Sequence, residues 1–155
     1  MMTRLSCDVL NALKGKTLAT AESCTGGGIG AALTAIPGSS AIYKGGVISY
    51  TNEIKQIVLG VDCSILEQYG AVSEPVALAM AEGAKKLLKT DIAISVTGLA
   101  GPDGDNQGNP VGLVYIAYAD NDITICKKCF FVGDRDSVRI QAVETALRIV
   151  LQNNQ

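Results

Sequence analysis

The chain has 155 residues, of which 48% are hydrophobic and 18% charged, a composition typical of a folded globular domain rather than a disordered chain. We expect one domain, residues 1–155, because this length can bury a hydrophobic core without disulfides or structural metals. The 13 basic and 15 acidic residues give a net charge of −2, which argues against nucleic acid binding through a basic face.

The sequence also predicts where the chain resides. It has no apolar run of about 18 residues, so we expect no membrane-spanning helix and no membrane partner. A secretion signal is not apparent and the five cysteines are an odd number, which favours a reducing, cytoplasmic compartment. Cys126 and Cys129 lack a second pair at zinc-site spacing, and residues i and i+3 of a strand point to opposite faces. We therefore predict no metal site and no other cofactor.

The hydrophobic pattern predicts alternating helices and strands. In the first half we predict a helix at 3–14, a strand at 16–22, a helix at 26–36, a strand at 42–50, and helices at 53–59, capped by Asn52, and at 65–69. In the second half we predict a helix at 73–88, strands at 92–96, 113–119 and 123–132, and a last helix capped by Asp134. This order predicts a three-layer α/β/α sandwich with a mixed, mostly parallel sheet.

Ser23 lies where the first predicted strand meets a glycine cluster, Gly26–Gly28, that leads into a helix. The unpaired N–H groups and helix dipole at such a junction can stabilise a phosphate or a developing oxyanion. Ser23 is therefore a helix cap, a phosphate ligand or a nucleophile. No Lys-Ser or Lys-Thr pair follows the glycines, so the segment is not a phosphate-binding P-loop. Because the chain contains no histidine, a nucleophilic Ser23 needs another base.

Lys55 is the candidate base. It lies in the first turn of a predicted helix, where the dipole disfavours the charged form of a lysine. A lysine of lowered pKa can act as a general base, and Ser-Lys pairs substitute for Ser-His-Asp in some hydrolases. The alternative is an ordinary solvated lysine. Tyr50 ends the preceding strand and either presents its hydroxyl to the same space or is a half-buried strand residue.

A glycine-rich loop beginning at Thr97, Gly98 and Gly101 follows the most apolar predicted strand. In open α/β sheets, ligands bind beyond the carboxyl ends of the parallel strands. The serine turn, Tyr50 and this loop all follow strand ends, so we expect them to share one pocket. The alternative for the loop is a mobile surface segment.

Two further charged residues have two interpretations each. Glu22, beside Ser23, either fixes the turn by hydrogen bonding or is solvated. Arg135 begins the last helix and either binds an anion such as a phosphate or forms an ion pair with Asp134 or Asp136.

Nine short segments, in their order and spacing, resemble the C-terminal domain of the competence/damage-inducible protein family CinA over roughly residues 15–150. The segments are 21–27, 37–40, 45–50, 52–55, 59–61, 70–74, 97–102, 110–112 and 133–135. The resemblance implies a three-layer α/β/α fold with a mixed sheet. Many family members also carry an N-terminal domain resembling molybdopterin-binding proteins, which we expect to be absent because this chain starts too late to include it.

The resemblance also implies an activity, the hydrolysis of the carboxamide of nicotinamide mononucleotide to nicotinic acid mononucleotide and ammonia. Ser23 would be the nucleophile, Lys55 its base, and Tyr50 would line the site. In the mechanism that we expect, Tyr50 is also catalytic, because the protonated lysine gives its proton to the departing ammonia directly or through Tyr50. Backbone N–H groups around Thr25 to Gly27 would hold the oxyanion. The residues expected to contact substrate are Glu22, Thr25, Gly26, Gly27, Ser40, Thr97, Gly98, Gly101 and Arg135. The resemblance also implies a homodimer.

Three alternatives remain at this point. The chain could be a nucleotide-binding module without catalysis, which would use the same pocket but release no ammonia. It could be an interaction protein, although its acidic character argues against direct contact with DNA. It could also be an amidase of another small amide, since no residue by itself specifies a pyridine ring.

Overall fold

The computed structural model describes all 155 residues and contains one five-stranded sheet in the order β2-β1-β3-β4-β5. The strands are β1 Leu18–Glu22, β2 Tyr43–Ile48, β3 Ile92–Gly98, β4 Leu113–Ala119 and β5 Thr124–Phe130. Strands β2, β1 and β3 are parallel, whereas β4 is antiparallel to both β3 and β5. Four of the five strands thus run in one direction, and the predicted mixed, mostly parallel sheet is confirmed.

Helices cover both faces of this sheet. The larger core cluster joins one face to α1 Met2–Ala12, α2 Gly28–Thr34 and α6 Arg135–Gln152. The opposite face packs against α4 Cys63–Tyr69 and α5 Glu74–Leu88, while α3 Asn52–Ile57 follows β2. The predicted three-layer sandwich is therefore confirmed.

The two faces differ in side-chain size, as the alternation along β3 shows. Ile94 and Val96 point into the larger core beneath α2 and α6, whereas Ala93 points towards α5. Ser95 faces α5 as well, and its buried hydroxyl donates a hydrogen bond to the Ala77 carbonyl at 2.6 Å. Small residues on this face let α5 lie close to the sheet.

The predicted elements are all present, with ends displaced by a few residues. The prediction that Asn52 caps α3 was wrong, because the hydroxyl of Thr51 accepts the capping hydrogen bond and Asn52 is the first helical residue. Helix α4 begins earlier than predicted, at Cys63, because Asp62 accepts a hydrogen bond from the Ser64 N–H and caps it.

Cys126 and Cys129 lie on opposite faces of β5, as their spacing predicted. Cys126 packs on the α5 side, whereas Cys129 belongs to the core on the α6 side. Among the helices, none combines the length and the apolar character needed to cross a membrane.

The carboxyl ends of β2, β1 and β3 lie side by side because these strands are parallel. The register pairs Glu22, the last residue of β1, with Ile48, the last residue of β2, and with Val96, two residues before the end of β3. Two hydrogen bonds extend this register, from the Ser23 N–H to the Val96 carbonyl and from the Ser49 N–H to the Glu22 carbonyl. The fold thus brings the serine turn next to the segment that carries Tyr50 and Lys55.

Candidate active site

A cavity of about 810 Å³ opens at this edge of the sheet. Its walls come from the serine turn, residues 50–56, α4, the loop after β3 and the start of α6. Seven of the residues singled out from the sequence line it: Ser23, Tyr50, Lys55, Thr97, Gly98, Gly101 and Arg135. The expectation that strand ends form one pocket is met by this arrangement.

Ser23 and Lys55 are in direct contact within this cavity. Lys55 Nζ lies 2.9 Å from Ser23 Oγ and donates a second hydrogen bond to the Ser49 carbonyl at 2.8 Å. The Tyr50 carbonyl lies farther away, at 3.5 Å. Lys55 is 1% exposed and Ser23 is 7% exposed, so the pair is largely withdrawn from bulk water. This is the geometry that a nucleophile and its base require.

Burial lowers the pKa of Lys55 from 10.5 to about 8, and the nearby Cys24 thiol acts weakly in the opposite sense. The dominant cause is desolvation of the ammonium group, rather than the helix dipole expected from the sequence. At neutral pH, about a tenth of the molecules therefore carry an uncharged amine next to Ser23.

The same pKa predicts how stability depends on pH. We expect the free energy of unfolding of the parent protein, relative to Lys55→Met, to rise as the pH increases from about 8 to 10.5. In that range the folded lysine is neutral while the unfolded lysine still binds a proton. The total gain is on the order of 3 kcal/mol. Urea unfolding of both proteins across this range measures it, and a constant difference between them would contradict the lowered pKa.

Glu22 holds the serine turn and does not contact the cavity, so its assignment to substrate binding is corrected. Its carboxylate is 2% exposed and accepts hydrogen bonds from the Thr25 hydroxyl at 2.7 Å and from the N–H groups of Ile29 and Gly30. The carboxylate thus occupies the positive end of α2, which is no longer available for a phosphate.

We expect Glu22→Gln to lower the free energy of unfolding by about 2 kcal/mol, because hydrogen bonds to a charged acceptor are the strong ones. In addition, the NH₂ group of the new amide would face N–H donors. Urea denaturation measures the change, with Glu144→Gln as the control. Glu144 forms an ion pair with Arg148 on the surface, which contributes little. Equal losses in the two variants would contradict the role assigned to Glu22.

The backbone donors of the turn also differ from the prediction. Thr25, Gly26 and Gly27 do not line the cavity, and the Gly26 N–H is already bonded to the Ser23 carbonyl. Cys24 does line it, and its N–H donates to no other residue. The amide of Cys24, rather than those of Thr25 to Gly27, is therefore the turn's candidate oxyanion donor.

Ser40 lies before the amino-terminal end of β2 and does not line the cavity, so its role in substrate binding stays a prediction. It belongs to a short 3-10 helix, Ser39–Ala41, that precedes β2. The cavity lies beyond the carboxyl end of β2, so the length of that strand separates it from Ser40. The sequence did carry a signal for this position, because Ser40 precedes the predicted strand 42–50 whereas the pocket was expected beyond the carboxyl ends of the strands.

Arg135 lines the cavity and links the loop after β3 to Tyr50. Its guanidinium donates hydrogen bonds to the Gly101 carbonyl and, at 3.1 Å, to the Tyr50 hydroxyl. It pairs with neither Asp134 nor Asp136, since the only ion pair in the structure is elsewhere. The positive charge of Arg135 therefore remains available for an anion.

Sequence reasoning missed Arg139, which ties α6 to the serine turn. Its guanidinium donates to the carbonyls of Cys24 at 3.0 Å and Thr25 at 3.2 Å. Arg139 lies four residues after Arg135 and therefore near it on the helix surface. That spacing was the available signal.

Sequence reasoning also missed the acidic lining of the cavity. Four carboxylates line it: Glu53 of α3, Glu67 of α4, and Asp103 and Asp105 of the loop after β3. Each looks like an ordinary surface residue in the sequence, and only the fold brings them together. The cavity thus combines an excess of negative side chains with Arg135 and Lys55.

Comparison with known proteins agrees with this architecture. The model of the CinA C-terminal domain matches residues 3–153. The chain belongs to the CinA C-terminal domain family. A CinA-like protein of Syntrophomonas wolfei is 51% identical over 136 residues, which is 88% of this chain and 33% of that protein. The chain thus spans about a third of the length of the curated relatives it matches.

Solved structures of the CinA superfamily share the whole fold. A CinA superfamily protein from Klebsiella pneumoniae is 37% identical, with a TM-score of 0.96 over 99% of this chain and 97% of that one. Another, from Enterobacter cloacae, is 30% identical, with a TM-score of 0.97 over 100% of this chain and 93% of that one. The resemblance drawn from the nine segments is therefore confirmed at the level of the family.

Proposed function

We propose that this CinA-family protein is an amidohydrolase that converts nicotinamide mononucleotide to nicotinic acid mononucleotide and ammonia. The observation that carries the proposal is the 2.9 Å hydrogen bond between Ser23 Oγ and the buried Lys55 Nζ at the wall of a cavity. Family membership supports the reaction class, and the charges of the cavity support the substrate.

In the acylation step, neutral Lys55 removes the Ser23 proton as the serine oxygen attacks the carboxamide carbon. The Cys24 N–H stabilises the oxyanion of the tetrahedral intermediate. The Lys55 ammonium then gives its proton to the departing nitrogen. The C–N bond breaks, ammonia leaves, and Ser23 carries the acyl group as an ester.

In the deacylation step, Lys55 is neutral again and takes a proton from a water molecule that attacks the ester. The resulting intermediate collapses, the carboxylic acid leaves, and the serine oxygen recovers its proton from Lys55. The two steps together consume one water and release one ammonia. Tyr50 lines the site beside the pair, and its hydroxyl holds Arg135.

The charges of the proposed substrate are complementary to those of the cavity. Nicotinamide mononucleotide has a cationic pyridinium ring and an anionic phosphate. The cavity carboxylates suit the ring and the ribose hydroxyls, and Arg135 suits the phosphate. A volume of about 810 Å³ lies within the range of small-molecule sites.

Ammonia release from nicotinamide mononucleotide tests the proposal, with free nicotinamide as the comparison amide. We expect rapid release from the nucleotide and slow release from nicotinamide, which lacks both the phosphate and the ring charge. Saturable binding of the nucleotide without ammonia release would contradict hydrolysis and favour the binding module. Faster release from nicotinamide would contradict the nucleotide specificity.

We also propose that the protein is a homodimer, as the family resemblance implies. Apolar residues exposed at the end of the edge strand β5 support an interface: Phe130 is 62% exposed and Val132 is 86% exposed. Light scattering should give a mass near twice the 16.1 kDa of one chain. A mass of one chain would contradict the dimer.

A further inference from the structure

Ser49 carries a buried hydroxyl that has no hydrogen-bond partner. The residue is 0% exposed, and its Oγ has no hydrogen-bond partner. Buried polar groups in native proteins nearly always have a partner, and an unpaired one costs stability. An alanine at this position would avoid that cost, so folding stability does not explain why residue 49 is a serine.

The position of Ser49 supplies such a reason. Its carbonyl accepts the 2.8 Å hydrogen bond from Lys55 Nζ, and its N–H donates to the Glu22 carbonyl. The backbone is thus fixed on both sides, and the hydroxyl is only a few covalent bonds from the carbonyl that the lysine contacts. Rotation about the Cα–Cβ bond moves this hydroxyl without any backbone change.

The reaction creates a need for another acceptor beside Lys55. An ammonium group has three N–H donors, and those of Lys55 point to Ser23 Oγ, the Ser49 carbonyl and, weakly at 3.5 Å, the Tyr50 carbonyl. Under the proposed function, on which this inference rests, attack on the carboxamide makes Ser23 Oγ a bridging oxygen of the tetrahedral intermediate, which is a poor acceptor. Lys55 is then charged, 1% exposed, and short of one partner.

We propose that Ser49 is a positioning residue whose hydroxyl accepts a hydrogen bond from the Lys55 ammonium when the Ser23 oxygen is unavailable. This bond stabilises the charged amine while it holds the proton destined for the leaving nitrogen. Other titratable or charged groups surround the same space, but none forms a side-chain hydrogen bond with Lys55 Nζ. They are Cys24, Tyr50, Glu53, Cys63, Glu67, Asp103, Asp105 and Arg135.

A double-mutant cycle on the pKa of Lys55 tests this without any need for turnover. Ser23→Ala imitates the loss of the serine acceptor. The pH dependence of labelling by 1-fluoro-2,4-dinitrobenzene, measured by mass spectrometry on the Lys55 peptide, reports the titration of this amine. We expect Ser49→Ala alone to leave the midpoint nearly unchanged. In the Ser23→Ala background, Ser49→Ala should lower the midpoint by about one unit. Equal midpoints in Ser23→Ala and the double variant would overturn the proposal.

Ser6 provides a matched control, because its Oγ is the other buried side-chain oxygen without a partner and it lies on α1. Ser6→Ala in the Ser23→Ala background removes an equivalent hydroxyl far from Lys55, and we expect no change in the midpoint. A shift equal to that caused by Ser49→Ala would overturn a specific role for Ser49.

Kinetics separates this inference from the proposed function. With nicotinamide mononucleotide, Ser49→Ala should lower kcat about tenfold and leave KM unchanged, because the lost bond forms only after attack. Parent-level kcat in Ser49→Ala would overturn the role of Ser49 while leaving the amidase proposal intact. Absence of ammonia release from the parent protein would instead contradict the amidase proposal. The labelling cycle would still show whether the Ser49 hydroxyl accepts a hydrogen bond from the Lys55 ammonium.

Discussion

Replacing Ser23 by alanine, or Lys55 by methionine, will lower the rate of ammonia release from nicotinamide mononucleotide by about four orders of magnitude. Ser23→Ala removes the oxygen that forms the acyl-enzyme, and Lys55→Met removes the amine that takes its proton. Because the two groups act as one unit, their effects should not add. The rate of the double variant should be close to that of the slower single variant.

The loss must be separated from unfolding and from weak binding. Lys44→Met, which changes an exposed lysine of β2, and Ser64→Ala, in the exposed first turn of α4, are the matched controls and should retain the parent rate. Circular dichroism should show parent-like folds for Ser23→Ala and Lys55→Met. A folded variant of either residue with more than about a tenth of the parent kcat would contradict the dyad.

The value of kcat/KM for nicotinamide mononucleotide will rise about tenfold per pH unit below pH 8 and level off above it. Lys55 must be neutral to accept the Ser23 proton, and burial holds its pKa at about 8. The neutral fraction therefore increases about fiftyfold between pH 6 and pH 8. A profile that is flat or falls across this range would contradict a lysine base.

This pH dependence also distinguishes Lys55 from the other titratable group beside Ser23. Burial raises the pKa of the Cys24 thiol to about 11, so this thiol stays protonated over the range in which the rate rises. Cys24→Ser should therefore keep the midpoint near pH 8. A midpoint that moved by several units in this variant would assign the titration to the thiol instead.

The fold could be predicted from the sequence because its signals are local. Buried strands such as β3 are continuous apolar runs, and the helices show regular apolar faces. Errors were confined to element ends, where neighbouring residues compete. Thr51 and Asn52 can both cap a helix, and the structure selects Thr51.

The pairing of Ser23 with Lys55 could also be predicted from the sequence. Both residues follow strands that the topology places side by side, and the absence of histidine directs attention to lysine. The cause of the lowered pKa was not predictable, because the burial of Lys55 depends on how the whole edge of the sheet packs around α3.

The remaining parts of the site depend on contacts between distant segments. The hydrogen bonds of Glu22 to α2 and of Arg139 to the Cys24 carbonyl are set by the packing of helices on the sheet. The spacing of Arg135 and Arg139 was a local signal, and turn fixing was one of the two interpretations of Glu22, but the partner groups of Glu22 and Arg139 could not be predicted from the sequence.

Direct titration of the Lys55 amine is the most direct test of the account, since the whole mechanism requires an uncharged amine next to Ser23. The ¹³C resonance of Lys55 Cε, assigned by its loss in Lys55→Met, reports the protonation state as the pH is raised. We expect a midpoint at about 8. A midpoint near the ordinary lysine value of 10.5 would contradict it.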